Sequence, residues 1–175
     1  MDKLIKDFIN SVRVELADEF DMNFRRKAFF NKKWPKTKHN YKTGSLMMRS
    51  GTLRQSISSK VEGNSIKFSS SADYAKIHNE GGQIVVTAKM KKFFWAMHYK
   101  AAGAVSGKGG KRDDALNEEA KRWKYMALMK VGTKMTIEQR QFIGYHPQVK
   151  KAIERVFKED FAPKFKDLII KTIKK

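Results

Sequence analysis

The sequence predicts an α+β fold, in which a long N-terminal helix and C-terminal helices pack on a small antiparallel β-sheet. The first observation is a stripe of apolar residues at helical spacing within residues 2–30. The second is a pair of alternating segments, 57–61 and 65–68, on either side of a short turn. The third is a renewed helical spacing after Pro147, a residue that suits the start of a helix.

The N-terminal helix is predicted to cover a core. Its apolar stripe has members three or four residues apart, which places them on one face: Ile5, Phe8, Ile9, Val12, Leu16 and Phe20. The opposite face carries both charge signs, whereas a membrane-surface helix favours Lys and Arg.

Residues 31–50 form a basic connector. Pro35 disfavours a helical conformation at Trp34. Lysines alternate with aromatic residues here (Trp34, Lys36, Lys38 and Tyr41), a pattern that can bind single strands by stacking and charge. The favoured interpretation is an exposed loop that Trp34 anchors.

The segments 57–61 and 65–68 predict a hairpin with a turn at residues 62–64. Residues 84–87 are expected to be a third, more buried strand of the same sheet, because the segment is β-branched.

Residues 70–82, between the hairpin and that strand, predict two helical turns. Asp73 is expected to cap their start and Gly81 to end them. Tyr74, Ile77 and His78 then share one face. A Tyr and a His together can indicate catalysis, but no second catalytic group has an interpretable spacing. We therefore expect Tyr74 and Ile77 to pack on the sheet and His78 to bond nearby backbone.

The region 89–134 is predicted to contain a helix over 89–102, a mobile Gly-rich loop over 102–112, a helix over 113–129 and an extended segment over 131–137. The loop is not a nucleotide-binding loop. Three residues separate Gly103 from Gly107 and Gly109 follows Lys108, whereas a phosphate loop needs four residues and a Ser or Thr. In the C-terminal segment, Pro163 is expected to interrupt the helix.

Composition limits the function classes. The 175 residues, 41% of them hydrophobic, suffice for one domain. The absence of Cys excludes disulfides and Cys-based metal sites. The charged N-terminus and the lack of a long apolar run argue against a signal peptide and a membrane span. The four His show no metal-ligand spacing, so we expect no metal, no cofactor and no catalysis.

The net charge is +20, and it is concentrated in blocks. Residues 22–61 and 81–112 contain no Asp or Glu. Blocks of one sign attract an oppositely charged partner, which can be nucleic acid, a membrane surface or an acidic protein. Charge alone leaves these three open.

Three segments together resemble the phage virion morphogenesis family, the tail-completion proteins of tailed phages. The first is Trp34-Pro35 followed by Ser50-Gly51-Thr52-Leu53-Arg54-Gln55-Ser56-Ile57. The second is Tyr74-Ala75-Lys76-Ile77-His78-Asn79-Glu80-Gly81, and the third is Ile137-Glu138-Gln139-Arg140-Gln141-Phe142-Ile143-Gly144. The sequence departs from the family at Glu138 and Gln141, where Pro is usual, and residues 89–134 exceed the usual core.

The resemblance implies a structural motif set, whose members we expect to determine the fold: Trp34, Ser50, Gly51, Leu53, Ser56, Ile57, Tyr74, Ala75, His78, Gly81, Arg140, Phe142 and Gly144. It also implies one tail-completion-like domain over 1–175, with an elaboration at 89–134. Such a protein acts without catalysis in the virion neck, as a ring expected to be a hexamer, after synthesis in the bacterial host cytoplasm.

The implied partners are the portal and head-completion proteins, the tail terminator and the tail tube, with genomic DNA as a further contact and no membrane. The candidates for these contacts are basic: Arg25, Arg26, Lys32, Lys33, Lys36, Lys38, Lys108, Lys111 and Arg112. The alternative is a small basic nucleic-acid-binding protein, supported by the charge and by Trp34 and Tyr41, although no known nucleic-acid-binding motif is present.

Overall fold

A computed structural model describes residues 2–37 and 45–173. The described residues combine helices with two-stranded antiparallel sheets, which confirms the α+β class. The chain divides into two compact units. The first contains Met1–Gly81 and Glu138–Lys175, and the second contains Gly82–Ile137. The region 89–134 lies within the second unit.

The first unit begins with helix α1, Asp2–Arg26, whose apolar stripe is buried at Val12, Leu16 and Phe20. The prediction that this helix continues to residue 30 was wrong. Lys27 adopts a positive φ of 54°, which ends the helix. The chain then turns back as a short hairpin, in which Ala28–Phe29 (β1) pairs with Lys32–Lys33 (β2).

A short helix α2, Thr52–Gln55, leads into the main hairpin of the first unit. Ile57–Glu62 (β3) and Ser65–Ser70 (β4) pair antiparallel, which confirms the predicted hairpin, and the turn between them has two residues because Glu62 still pairs with Ser65. The ring of Phe68 on β4 meets Phe20 of α1 edge to face at 4.9 Å, so the hairpin packs on α1. Helix α3, Ala75–Glu80, follows.

The second unit is an antiparallel helix pair closed by two strands. Gly82–Val85 (β5) leads to helix α4, Ala88–Gly103, and helix α5, Lys111–Leu128, leads back to Lys134–Ile137 (β6). The strand β5 pairs with β6, so the prediction that it joins the β3–β4 sheet was wrong. It is also mostly exposed, and burial is complete only at Val86 just beyond it.

The C-terminal helices return to the first unit. Helix α6, Pro147–Val156, starts at the predicted proline, with the His146 imidazole accepting a hydrogen bond from the Gln148 amide at 3.2 Å. A π-helical turn, Phe157–Phe161, joins it to helix α7, Ala162–Ile173. The predicted interruption at Pro163 was therefore wrong, because the residue lies in the first turn of α7, where proline is tolerated.

Side chains from α1 hold this C-terminal segment. Ser11 donates a hydrogen bond to the Asp160 carboxylate at 2.8 Å, and Arg155 of α6 pairs with Glu15. Ala152 and Val156 pack into the same core cluster as the α1 stripe. The first unit is thus built around α1, with the β3–β4 hairpin and α6 both packed on it.

Candidate functional site

The third motif lies where the other two motifs and α1 meet. The Arg140 guanidinium donates from Nε to the Pro35 carbonyl at 3.1 Å and from Nη2 to Glu138 at 3.0 Å. Its main-chain amide donates to the His78 carbonyl at 2.8 Å. Arg140 is almost fully buried, so these bonds satisfy an otherwise costly charge. One residue therefore connects the Trp-Pro connector to α3.

Phe142 is held through its backbone by two asparagines. Its amide donates to Asn79 Oδ1 at 2.9 Å, and its carbonyl accepts from Asn23 Nδ2 at 3.1 Å. Asn23 is fully buried and also accepts the Phe30 amide at 2.9 Å. The Phe142 ring is 1% exposed and lies 5.2 Å from Phe24. These contacts fix Phe142 in the core from both sides.

Trp34 anchors the connector from inside. Its indole Nε1 donates to the Gln141 carbonyl at 2.6 Å, and its ring packs edge-on against Phe24 at 5.7 Å. The side chain is 6% exposed, so it cannot stack on nucleic-acid bases. Trp34 therefore cannot take part in the predicted binding of single strands. Lys38 and Tyr41, which belong to the same predicted pattern, lie outside the described residues.

The first motif shapes the entry to the β3–β4 hairpin. Gly51, with φ 80°, precedes α2 in a conformation that side chains disfavour, and the Ser50 hydroxyl bonds Thr52. Leu53 is buried with Phe142 in one cluster, and Ile57 packs against that cluster. Ser56 donates to the Leu53 carbonyl at 2.7 Å and contacts the Ser70 hydroxyl.

Arg54, between these motif residues, is bound by Asp21 of α1. The hydrogen bonds from Arg54 hold the pKa of the Asp21 carboxyl below its usual value. The ion pair therefore fastens α2 to α1.

In the second motif and the residue before it, three side chains differ from their predictions. Asp73 does not cap α3, whose first residue follows Tyr74 without a side-chain cap. Tyr74 is 44% exposed and contacts the His78 ring edge-on instead of packing on the sheet. His78 Nδ1 is buried and has no hydrogen-bond partner within the described chain, so this nitrogen does not make the predicted bond to backbone. Ala75 is buried.

Among the described residues, His78 has no catalytic partner at its buried nitrogen. Burial, and then the charge of Arg140, lower the pKa of His78. No nucleophile or carboxylate contacts its free nitrogen among residues 2–37 and 45–173. The same part of the chain contains no group of three or more His, Asp or Glu that could hold a metal ion.

Two motif glycines, Gly81 at the end of the second motif and Gly144 at the end of the third, lie against residues of the third motif. Gly81 ends α3 with φ 73°, and a Cβ there would lie 3.0 Å from the Gln139 amide nitrogen. Gly144 has φ 140°, and a Cβ would collide with the Gln141 side chain. A side chain at either position would be strained by the positive φ, and at Gly81 it would also crowd the backbone of Gln139.

The basic candidates fall in both units. In the first, Arg25 and Arg26 end α1 and pair with Asp21 and Glu19, while Lys32, Lys33 and Lys36 are exposed. In the second, Lys108 lies in the α4–α5 loop and Lys111 and Arg112 begin α5. Lys38 lies outside the described residues.

The α4–α5 loop is bound by a buried carboxylate. The buried Asp113 carboxylate accepts the Ser106 amide at 3.1 Å, the Ser106 hydroxyl at 2.9 Å and the Gly109 amide at 3.1 Å. These bonds, led by the Ser106 amide, hold the pKa of Asp113 below its usual value. The mobility expected of this loop stays a prediction, although the loop has a polar anchor that its few apolar residues did not indicate. Its backbone donors already bind a carboxylate of the chain, where a phosphate loop would bind phosphate.

Sequence reasoning missed Asn23, Asn79 and Asp113. Asn23 continues the α1 stripe three residues after Phe20, and a polar residue on an apolar stripe signals a buried hydrogen bond. Asn79 lies at a position of the second motif where the family does not require a particular residue type, so the motif gave no signal for it. Asp113 is the first acid after a block of 32 residues without one, which marks it as the internal partner of that block.

None of the helices within the described residues is long and apolar enough for a membrane crossing. No curated protein and no solved structure matches the chain. A family model matches residues 26–162, well over half of the sequence, and this span contains all three motifs. The chain belongs to the phage virion morphogenesis family, which makes it a structural, virion-associated phage protein.

Proposed function

We propose that this protein is a tail-completion subunit of the virion neck, which joins head and tail as part of a ring and without catalysis. The observation that carries the proposal is the family match over residues 26–162. The motif residues support it, because Trp34, Leu53, Ala75 and Phe142 are buried together in one core cluster, as expected of residues that determine the fold.

The partners proposed for the ring are the portal and head-completion proteins on one side and the tail terminator and tail tube on the other. A ring of identical subunits, proposed as a hexamer, requires a head-to-tail interface that closes on itself. Each subunit must therefore present two different surfaces to its copies and further surfaces to the neighbouring rings.

Charge decides when such a ring forms. A protomer of net charge +20 repels its copies, so self-assembly in isolation should be weak. Acidic surfaces on the neighbouring proteins, or DNA in the channel, offset this repulsion. Assembly is thus expected only in the neck.

The alternative is a nucleic-acid-binding protein with no structural role, and the net charge still supports it. Trp34 no longer supports it, because its ring is buried and cannot stack on bases. The structural role is therefore the function that the observations support best.

Charge reversal on the connector tests the neck proposal. Changing Lys32, Lys33 and Lys36 to Glu alters exposed side chains and should leave the fold intact. In the phage, complementation with this variant should yield separate heads and tails, because the connector would repel acidic neighbours. Electron micrographs and counts of infectious particles measure the outcome.

A matched control carries the same change in charge elsewhere in the first unit. Lys3, Lys6 and Lys166 are exposed on α1 and α7. Their change to Glu should leave more particles joined than the connector variant does. Normal yields of tailed, infectious particles from the connector variant would refute the role of the connector.

A further inference from the structure

Helix α4 of the second unit presents a basic face to solvent. Its outward positions, three or four residues apart, carry lysines and aromatic residues, which are Lys89, Lys92, Phe93, Tyr99 and Lys100. Phe93 is 54% exposed and Tyr99 is 65% exposed. The helix contains no Asp or Glu. Its exposed face therefore carries positive charge in its first turns, at Lys89 and Lys92, and again at Lys100, with no negative charge between them.

The inward face of α4 is already covered by α5. Phe94 and Ala101 are each 6% exposed, and the Phe94 ring lies 6.0 Å from Trp123. His98 Nδ1 contacts the Ala120 carbonyl at 2.9 Å. The exposed side of the helix carries Phe93 and Tyr99 among lysines and not the continuous apolar stripe that a membrane-surface helix inserts.

The acids of the second unit belong to α5 and largely serve its own structure. The unit has 12 Lys and Arg against four Asp and Glu, a net charge of +8. Asp113 binds the loop, Glu118 pairs with Lys121 at 2.9 Å, and Glu119 accepts from Trp123 at 3.3 Å. The unit therefore keeps an excess of exposed positive charge, which attracts a negatively charged partner.

We propose that the exposed face of α4 binds the phosphate backbone of duplex DNA, through Lys89, Lys92 and Lys100. The proposal rests on the proposed neck function for the identity of the nucleic acid, which is the genome that passes between head and tail. A helix of 16 residues is about 24 Å long, and duplex DNA presents about 14 phosphates over that distance.

The choice of a duplex follows from the proposed neck function, and Tyr99 is compatible with it. Tyr99 stacks on Trp95 at 5.8 Å with 23° between the rings, so one face of its ring is already covered. Binding of single strands uses free ring faces on which bases stack. A tyrosine hydroxyl, in contrast, can donate to a phosphate of a duplex.

Salt-dependent binding of a labelled 20-base-pair duplex to the full chain tests the proposal. The Lys89, Lys92 and Lys100→Gln variant should lower the slope of log affinity against log salt by about 2 to 3, since each phosphate contact contributes about 0.9. Affinity near 0.1 M salt should fall at least about tenfold. Circular dichroism verifies that both proteins keep their helices.

The control variant is Lys3, Lys6 and Lys166→Gln, which removes the same charge from the first unit and should change affinity by less than about threefold. Equal losses in the two variants would overturn the proposal, because the effect would be one of net charge. Unchanged binding by the α4 variant would also overturn it. So would an α4-dependent binding to vesicles containing anionic lipid that exceeds binding to the duplex.

Failure of this assay leaves the neck proposal standing, since the connector variant and the location of the chain in the virion test that proposal separately. Conversely, an α4-dependent affinity for the duplex would hold even if the chain were absent from the neck.

Discussion

Replacing Asn23 by Ala should destabilise the first unit more than any exposed substitution on α1. The side chain is fully buried and makes two hydrogen bonds, from Nδ2 to the Phe142 carbonyl and from the Phe30 amide to Oδ1. Both partners are main-chain groups in the core, so the substitution leaves a buried donor and a buried acceptor unpaired.

The expected magnitude follows from these two groups. Each unpaired group costs about 1–3 kcal/mol, or about 4 kcal/mol together, and the better helix propensity of Ala returns about 0.6 kcal/mol. The free energy of unfolding should therefore fall by about 3 kcal/mol, which corresponds to a decrease in Tm of about 6–12 °C for a chain of this length.

Thermal and urea unfolding followed by circular dichroism measure this change. Asn10→Ala is the matched control, because Asn10 lies exposed on the same helix and undergoes the same chemical change. We expect its unfolding to shift by less than about 0.5 kcal/mol. We call the place where the three motifs and α1 meet the motif junction. A decrease of no more than about 1 kcal/mol in the free energy of unfolding of Asn23→Ala would refute the account of this junction.

Three further substitutions probe the junction and the loop. Trp34→Phe removes the donor to the Gln141 carbonyl and should lower the free energy of unfolding by about 1–2 kcal/mol. His78→Gln should make the free energy of unfolding depend less on pH at acidic pH. Because the pKa of His78 is lowered in the folded chain, the unfolded chain binds the proton first as pH falls below about 6.5, and stability falls with it. Asp113→Asn should accelerate hydrogen exchange at the Ser106 and Gly109 amides.

Each of these has its own control and contrary result. The control for Trp34 is Trp95→Phe in the second unit, where Trp95 packs against His98. An equal loss of stability in that variant would show that the loss at Trp34 does not come from its hydrogen bond to Gln141. For His78, equal Tm differences between pH 7.5 and 5.5 in wild type and variant would contradict the buried imidazole. For the loop, Asp114→Asn changes an exposed neighbour, and unaltered exchange in the Asp113 variant would show that the carboxylate does not anchor the loop.

Local patterns predicted the elements that local interactions decide. The α1 stripe, the β3–β4 hairpin and the start of α6 at Pro147 each follow from side-chain spacing or from one residue's backbone preference. The end of α1 did not follow, because it depends on the positive φ of Lys27, a residue whose type gives no such signal.

The pairing of strands distant in the chain could not be predicted from the sequence. Strand β5 pairs with β6, about 50 residues later, and nothing local distinguishes that partner from the nearer β3–β4 hairpin. The roles of Asn23 and Asn79 have the same origin. Each side chain bonds main-chain groups near residue 142, which only the folded chain brings within reach.

A density map of the neck of the intact virion tests the central claim most directly. The account predicts a closed ring of this chain between the head-completion and tail-terminator rings, with the three motifs inside each subunit and Lys32, Lys33 and Lys36 at a contact with a neighbour. A neck map of sufficient detail that lacks this chain would contradict the assignment.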